Sequence, residues 1–274
     1  MKRVFLCSLS NISSGNCSED CKFCVQNSAR KTNIARYKQK NISVIVEEAK
    51  KAEQNMANGF CLVTAGLALT STTKKYLLKI IDAVKKETNI KIIACNGIAS
   101  KKDLKDLKSA GVHAYNHNLE CQKDFYSQIC TTHPWQDRYK TCENVNEAGL
   151  VLICGGIFGI GETKQQRELF LNEIKPLAPK KIPLNFYIPN KNLDLPVKIM
   201  KKEEAIEIIA KAREIFPKEK IMLAGGRELV FGDDWLEGIK AGANSIIIDG
   251  YLTSGGAGAK KDIDKLKSAG YAIG

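Results

Sequence analysis

Three cysteines fall within one short segment, Cys17-Ser-Glu-Asp-Cys21-Lys-Phe-Cys24. Thiolates this close can ligate three irons of a cubane iron–sulfur cluster and leave the fourth iron open. An open iron can chelate a small cofactor through its amino and carboxylate groups. Zinc is the competing occupant, but tetrahedral zinc takes four ligands, and no adjacent C-x2-C or His pair completes a site. The chain has 10 cysteines in all. In a reducing compartment they do not form a disulfide framework, so the clustered ones call for metal or redox chemistry.

The elements that must position these thiols follow from the pattern of apolar residues. From residue 43 onward, amphipathic helices alternate with short apolar runs, as expected when parallel strands are joined by covering helices. Candidate strands lie at 4–9, 60–65, 91–96, 112–115, 150–155, 182–188, 220–224 and 244–248. That is the strand complement of a closed (β/α)8 TIM-type barrel, an α/β fold in a single domain spanning 1–274. Leu77, Ile80, Ile81 and Val84 make one helical apolar face, and Ala205, Ile208, Ile209, Ala212, Ile215 and Phe216 another.

Ser43, Ser100 with Asp103, and Thr163 with Gln166 are candidate helix caps. Ala110-Gly111, Ala148-Gly149, Ala241-Gly242 and Ala269-Gly270 each close a helical segment. The stretch at about 9–42 has little periodicity, follows the first strand and holds the cysteine cluster. In a barrel it belongs to the active-site face.

Lys and Arg outnumber Asp and Glu by 42 to 30, a net charge of +12. The lysines are scattered as pairs (50-51, 74-75, 85-86, 101-102, 201-202) on polar helix faces without interleaved aromatics, a pattern of solvated surface that argues against nucleic-acid binding. Apolar runs such as 150–160 contain glycines and fall short of the roughly 20 residues a membrane span needs. Ser8, Asn11 and Ser13 interrupt the N-terminal apolar patch before a signal-peptide core develops, so a cytoplasmic location is expected.

The C-x3-C-x2-C spacing, with Phe23 before the last cysteine, resembles the radical S-adenosylmethionine superfamily. Further blocks resemble the biotin synthase family over nearly the whole chain: 16–21, Phe60-Cys61, 115–120, Thr131-Thr132 through Arg138, 155–163, 183–185 and 224–228. The resemblance implies a [4Fe–4S] cluster on Cys17, Cys21 and Cys24 that cleaves S-adenosylmethionine to methionine and a 5′-deoxyadenosyl radical. The radical removes hydrogen from unactivated carbons of dethiobiotin, and sulfur closes the ring. It further implies that Phe23, Asn118, Glu120 and Arg138 contact the cofactor and that Asn116, Asn118 and Asn185 contact dethiobiotin. A flavodoxin or ferredoxin as electron donor and a homodimer follow from the same source.

In that family a [2Fe–2S] cluster, regarded as the sulfur donor, is held deeper in the barrel by three strand cysteines and an arginine. Cys61 and Arg227 match this pattern. The second cysteine position falls on Ile93, with Cys95 two residues on and therefore on the same strand face. The third falls on Ile153, with Cys154 one residue on, a shift that reverses the face unless a bulge compensates. The expected auxiliary ligand set is thus Cys61, Cys95, Cys154 and Arg227, against the alternative that Cys95 and Cys154 are buried apolar thiols. Cys7, Cys121, Cys130 and Cys142 are expected to be incidental, and His117 to pack on the other strand face. The segment 155–161 lacks the Lys-Ser/Thr ending of a phosphate loop and is expected to bring backbone close to the cofactor. Two other functions remain open: a different radical enzyme of the same barrel type, and a zinc-stabilised RNA-binding protein.

Overall fold

A computed structural model describes residues 2–249 and 258–274. Its frame is a parallel barrel built from β1 (Arg3–Asn11), β2 (Phe60–Val63), β3 (Ile92–Cys95), β4 (Ala114–Asn116), β5 (Val151–Ile153), β6 (Gly156–Phe158), β7 (Lys181–Phe186), β8 (Lys220–Leu223) and β9 (Ser245–Ile247). The segments β5 and β6 both pair with β7 and act as one interrupted stave. Pairing of Phe5 with Ser245 and of Cys7 with Ile247 closes β9 onto β1, giving eight staves in a closed ring. A short β10 (Ala272–Ile273) adds to the start of β1.

The connecting helices are α1 (Ile42–Gln54), α2 (Ser71–Glu87), α3 (Lys101–Ala110), α4 (Trp135–Glu147), α5 (Lys164–Ile174), α6 (Lys202–Ile215), α7 (Arg227–Phe231), α8 (Leu236–Ala241) and α9 (Ala259–Ser268). Leu77, Ile80, Ile81 and Val84 of α2 are buried, as are Ala205, Ile208, Ile209 and Ala212 of α6, so the apolar stripes face the barrel. Ser100 caps α3 by accepting from Asp103 N, and Thr163 with Gln166 forms a reciprocal capping box on α5. At α1 the cap is Asn41, whose side chain accepts from Ser43 N. At least one lysine from each of the five pairs meets a carboxylate: Lys50 with Glu87, Lys74 with Asp103, Lys86 with Asp82, Lys101 with Glu147 and Lys202 with Asp234.

Strand alternation divides the interior into two cores. Outward-facing residues pack under the helices, while Cys7, Cys61, Ile93, Ala114, Ile153, Met222, Ala224 and Ile247 form a separate inner cluster within the barrel. The fourth Ala-Gly helix end also leads into a strand, β10, which a two-residue element at the C-terminus does not advertise in sequence.

Gly155 and Gly156 are required by the interruption between β5 and β6. A Cβ at Gly155 would lie 2.0 Å from Pro183 O, and one at Gly156 2.3 Å from Glu120 O. The close approach expected of this segment is therefore to the protein's own backbone. The following turn is shaped by Glu162, whose carboxylate accepts from Gly159 N and Ile160 N, each at 2.7 Å, and is held by Arg167.

Candidate active site

The cysteine loop has little regular structure, and polar side chains take the place of strands in organising it. Arg30 donates to the carbonyls of Cys21 (2.8 Å), Asp20 (3.0 Å), Lys22 (3.3 Å) and Cys24 (3.3 Å), gathering the backbone that carries the thiols. Asn27 donates to Glu19 O at 2.6 Å, and Ser28 N donates to Cys17 O at 2.7 Å.

Across the barrel mouth, Asp20 accepts from Thr131 N (3.0 Å), Thr131 Oγ1 (2.5 Å) and Thr132 Oγ1 (3.0 Å). Partial burial alone would push the Asp20 carboxyl up, but these donors together hold it well below the usual range. A neighbouring network fixes the same junction: His133 lies 2.7 Å from Glu19 and 2.7 Å from Tyr126 Oη.

The loop places Cys17, Cys21 and Cys24, all half-buried, at the rim of a cavity of about 450 Å³ that runs into the barrel. Three free thiols from one loop facing a shared space fit the donor set of a cubane with one iron left open. Cys21 also lies 3.7 Å from Cys130, and Cys21, Cys130 and His133 form a three-donor group. Zinc in a structural site needs a fourth ligand, and among the described residues no further Cys, His, Asp or Glu joins this group. Sequence alone sets Cys130 aside because its separation from Cys21 hides their contact; its position beside Thr131-Thr132 is the available signal.

Phe23 in the thiol loop and Asn118, Glu120 and Arg138 also line the cavity. Arg138 Nη2 donates to Glu120 at 2.7 Å and its Nε to Asn118 O at 2.8 Å. Burial raises the Glu120 carboxyl, and Arg138 opposes that shift. Glu120 also carries a positive φ of 70°, a conformation uncommon for a residue other than Gly, Asn or Asp and of the kind found where side chains are aimed at a site.

The three asparagines expected at the substrate also line the cavity. Asn185 is engaged at both ends, donating to Gly156 O and accepting from Gly225 N, each at 3.0 Å. Asn118 Oδ1 accepts from Gly155 N at 3.2 Å. Asn116 donates to Cys95 Sγ at 3.5 Å, while its buried Oδ1 has no partner. His117 is buried next to Tyr115 but also borders the cavity, so it is not confined to packing on the outer strand face as expected.

The expected auxiliary ligand set is not brought together. Cys61 and Cys95 line the cavity, but Cys154 is fully buried in the outer core with its Sγ 3.8 Å from Cys142 Sγ. No bulge compensates for the one-residue shift, so Ile153 takes the inward position. Arg227 also faces outward. It follows the left-handed Gly226 (φ 78°) as the first residue of α7, pairs with Asp262 at 2.8 Å and Glu228 at 2.7 Å, and lies over the Trp235 ring. The inward residues at the end of β8 are Met222 and Ala224. Cys7, expected to be incidental, lines the cavity, as does the buried Lys181. Lys181 shares strand parity with Asn185, which the sequence singles out, and that is the missed signal; Cys7 has no such marked neighbour on its strand.

Comparison with known proteins agrees with the barrel fold. The model described as "Radical SAM superfamily" matches residues 11–174, and "Biotin and Thiamin Synthesis associated domain" matches 183–272. Among solved structures, the FeFe-hydrogenase maturase HydG from Carboxydothermus hydrogenoformans superposes with a TM-score of 0.82 at 19% identity, covering 99% of this chain and 67% of that one. Methylornithine synthase (PylB) gives 0.79 at 17% identity, over 99% and 84%. At these identities the likeness concerns the fold.

Barrel, thiol loop and superfamily match define a radical S-adenosylmethionine enzyme, a class that implies a [4Fe–4S] cluster and S-adenosylmethionine. The "Biotin synthase" of a Nitratiruptor species is 51% identical over 99% of this chain and 98% of its own length, and that of Aliarcobacter butzleri is 49% identical over 99% and 96%. The chain belongs to the biotin synthase family.

Proposed function

We propose that this chain inserts sulfur into dethiobiotin to form biotin. The observation that carries the reading is the cavity itself, which runs from the three-thiol rim past Asn116, whose buried amide oxygen lacks a partner. An unsatisfied buried acceptor costs about 1–3 kcal/mol, and a ureido N–H of dethiobiotin is a donor that relieves it.

When bound, the [4Fe–4S] cluster and S-adenosylmethionine supply the radical that breaks unactivated C–H bonds, and an auxiliary cluster, [2Fe–2S] by family resemblance, supplies sulfur. Cys17, Cys21 and Cys24 hold the cubane. Arg138 offers a planar fork suited to the cofactor carboxylate, and Glu120 an acceptor suited to ribose hydroxyls. Phe23 and Asn118 contact the same cofactor, while Asn116 and Asn185 orient the ureido ring with Asn118. The barrel walls exclude water from the reacting carbons. An electron donor such as flavodoxin or ferredoxin and a homodimeric state belong to the same reading and rest on the family resemblance; a cytoplasmic location is part of the same proposal. Among the described residues no helix is long and apolar enough to cross a membrane.

The test is anaerobic reconstitution with iron and sulfide, then reduction with dethiobiotin and S-adenosylmethionine, assaying biotin and 5′-deoxyadenosine together. Both products support the proposal. Deoxyadenosine without biotin refutes the substrate assignment and leaves another radical enzyme; neither product from a fully loaded cubane refutes the reading altogether.

A further inference from the structure

The inward face of the barrel carries three thiols that no motif groups together. Along β1 the inward residues are Cys7, Leu9 and Asn11; along β2, Cys61 and Val63; along β3, Ile93 and Cys95. The registers set Leu9 beside Cys61 and Val63 beside Cys95. Cys7 is therefore one pleat below Cys61 on one side, and Cys95 one pleat above it on the other. The three lie on a diagonal across adjacent strands. With strands about 4.8 Å apart and about 6.6 Å between same-face residues, successive positions on the diagonal are roughly 8 Å apart at the backbone. The side chains close part of that gap, near enough for the Cys61 and Cys95 thiols to act on one another.

The surroundings point to an anionic occupant. Lys181 is buried on β7 across the interior, and its charge acts on both Cys7 and Cys61. Among the described residues its ammonium makes no ion pair with a carboxylate. A buried ammonium without a counter-charge is costly, and neutral thiols do not offset it. A cluster carrying three thiolates does. Asn116 adds a donor to Cys95 Sγ at 3.5 Å, the kind of contact that tunes a metal-bound sulfur.

We propose that Cys7, Cys61 and Cys95 are the protein ligands of the auxiliary iron–sulfur cluster in this chain, with Lys181 as its charge-compensating neighbour. The inference rests on the sulfur-insertion reading above and replaces the ligand set expected from resemblance. With three thiolates, at least one iron coordination position is left for a non-protein ligand. Cys154 and Arg227 have structural roles instead.

The test uses the full chain reconstituted anaerobically, with iron and acid-labile sulfide counted per chain and Mössbauer spectra recorded. The wild type is expected to hold iron beyond the cubane's share. Cys7→Ser, Cys61→Ser and Cys95→Ser should each lose that excess and its spectral component while keeping the reduced-cubane electron paramagnetic resonance signal, which also reports folding. Cys154→Ala and Arg227→Lys should keep both components. If Cys7→Ser keeps the second component, or Cys154→Ala loses it while the cubane signal survives, the ligand set is overturned and the functional reading stands. If the wild type, fully loaded at the cubane, has no second component, the sulfur-donor reading falls together with the ligand set.

Discussion

Replacing Arg30 by alanine should weaken cluster binding without unfolding the barrel. Four loop carbonyls converge on its guanidinium, two of them at 3.0 Å or less. A hydrogen bond to a charged group contributes about 1.5–3 kcal/mol net when sheltered. Arg30 is half-exposed, so roughly 1–1.5 kcal/mol for each of the two shorter bonds is the fitting figure once solvent competition is included. The loop that presents Cys21 and Cys24 thus loses about 2–3 kcal/mol of ordering, which must then come from cluster binding. At tenfold per 1.4 kcal/mol, apparent cluster affinity falls roughly 30- to 150-fold. Chelator competition against the reconstituted cubane reads this directly, as the chelator concentration that strips half the cluster. Arg30→Lys, with a point charge in place of a fork, should recover only part of the loss. The melting temperature of the cluster-free chain should stay within a few degrees, because the barrel core does not depend on the loop. Affinity for Arg30→Ala within threefold of wild type would show that the thiols are ordered by something other than this guanidinium.

The Asp20 carboxyl is held below its unfolded pKa, so its contribution to docking the loop is fully present above about pH 4 and is lost as the pH falls through its folded value. The hydrogen-exchange protection factors of the loop in the cluster-free chain, corrected for intrinsic exchange at each pH, should be flat from neutral pH to about 5 and fall in stronger acid, with Asp20→Asn less protected at neutral pH and without that acid step. Asn116→Ala should raise KM for dethiobiotin by roughly 5- to 150-fold, the effect of about 1–3 kcal/mol, with little change in the KM for S-adenosylmethionine; equal effects on both would place the amide elsewhere in the reaction. Asp262→Ala leaves the buried Arg227 charge with only the more exposed Glu228, and a loss of about 3 kcal/mol in unfolding free energy is expected by denaturant titration with both clusters still loading.

What the sequence disclosed and what it concealed separate along one physical line. Cys17, Cys21 and Cys24 were legible because their proximity is covalent, set by a few residues of chain. The strands and helices were legible because burial imposes a period on each element by itself, and β6 was missed because three residues at a glycine break have none. Parity within a strand was equally readable: it kept Cys95 on the inner face and warned that Cys154 would turn outward. Arg227 misled because a family motif aligns positions along the chain, whereas the left-handed Gly226 decides on which side of the barrel wall the next side chain emerges. Cys7 and Lys181 were invisible for a different reason. Each has an inward parity that any single-strand reading gives, but a lysine beside Lys180 reads as surface and a lone cysteine on the first strand reads as packing. Only closure of β9 onto β1, a pairing between the two ends of the sequence, encloses them both. The chemistry at the mouth of this barrel is therefore written in local spacing, while the chemistry at its floor is written in the register of strands that meet only when the ring closes.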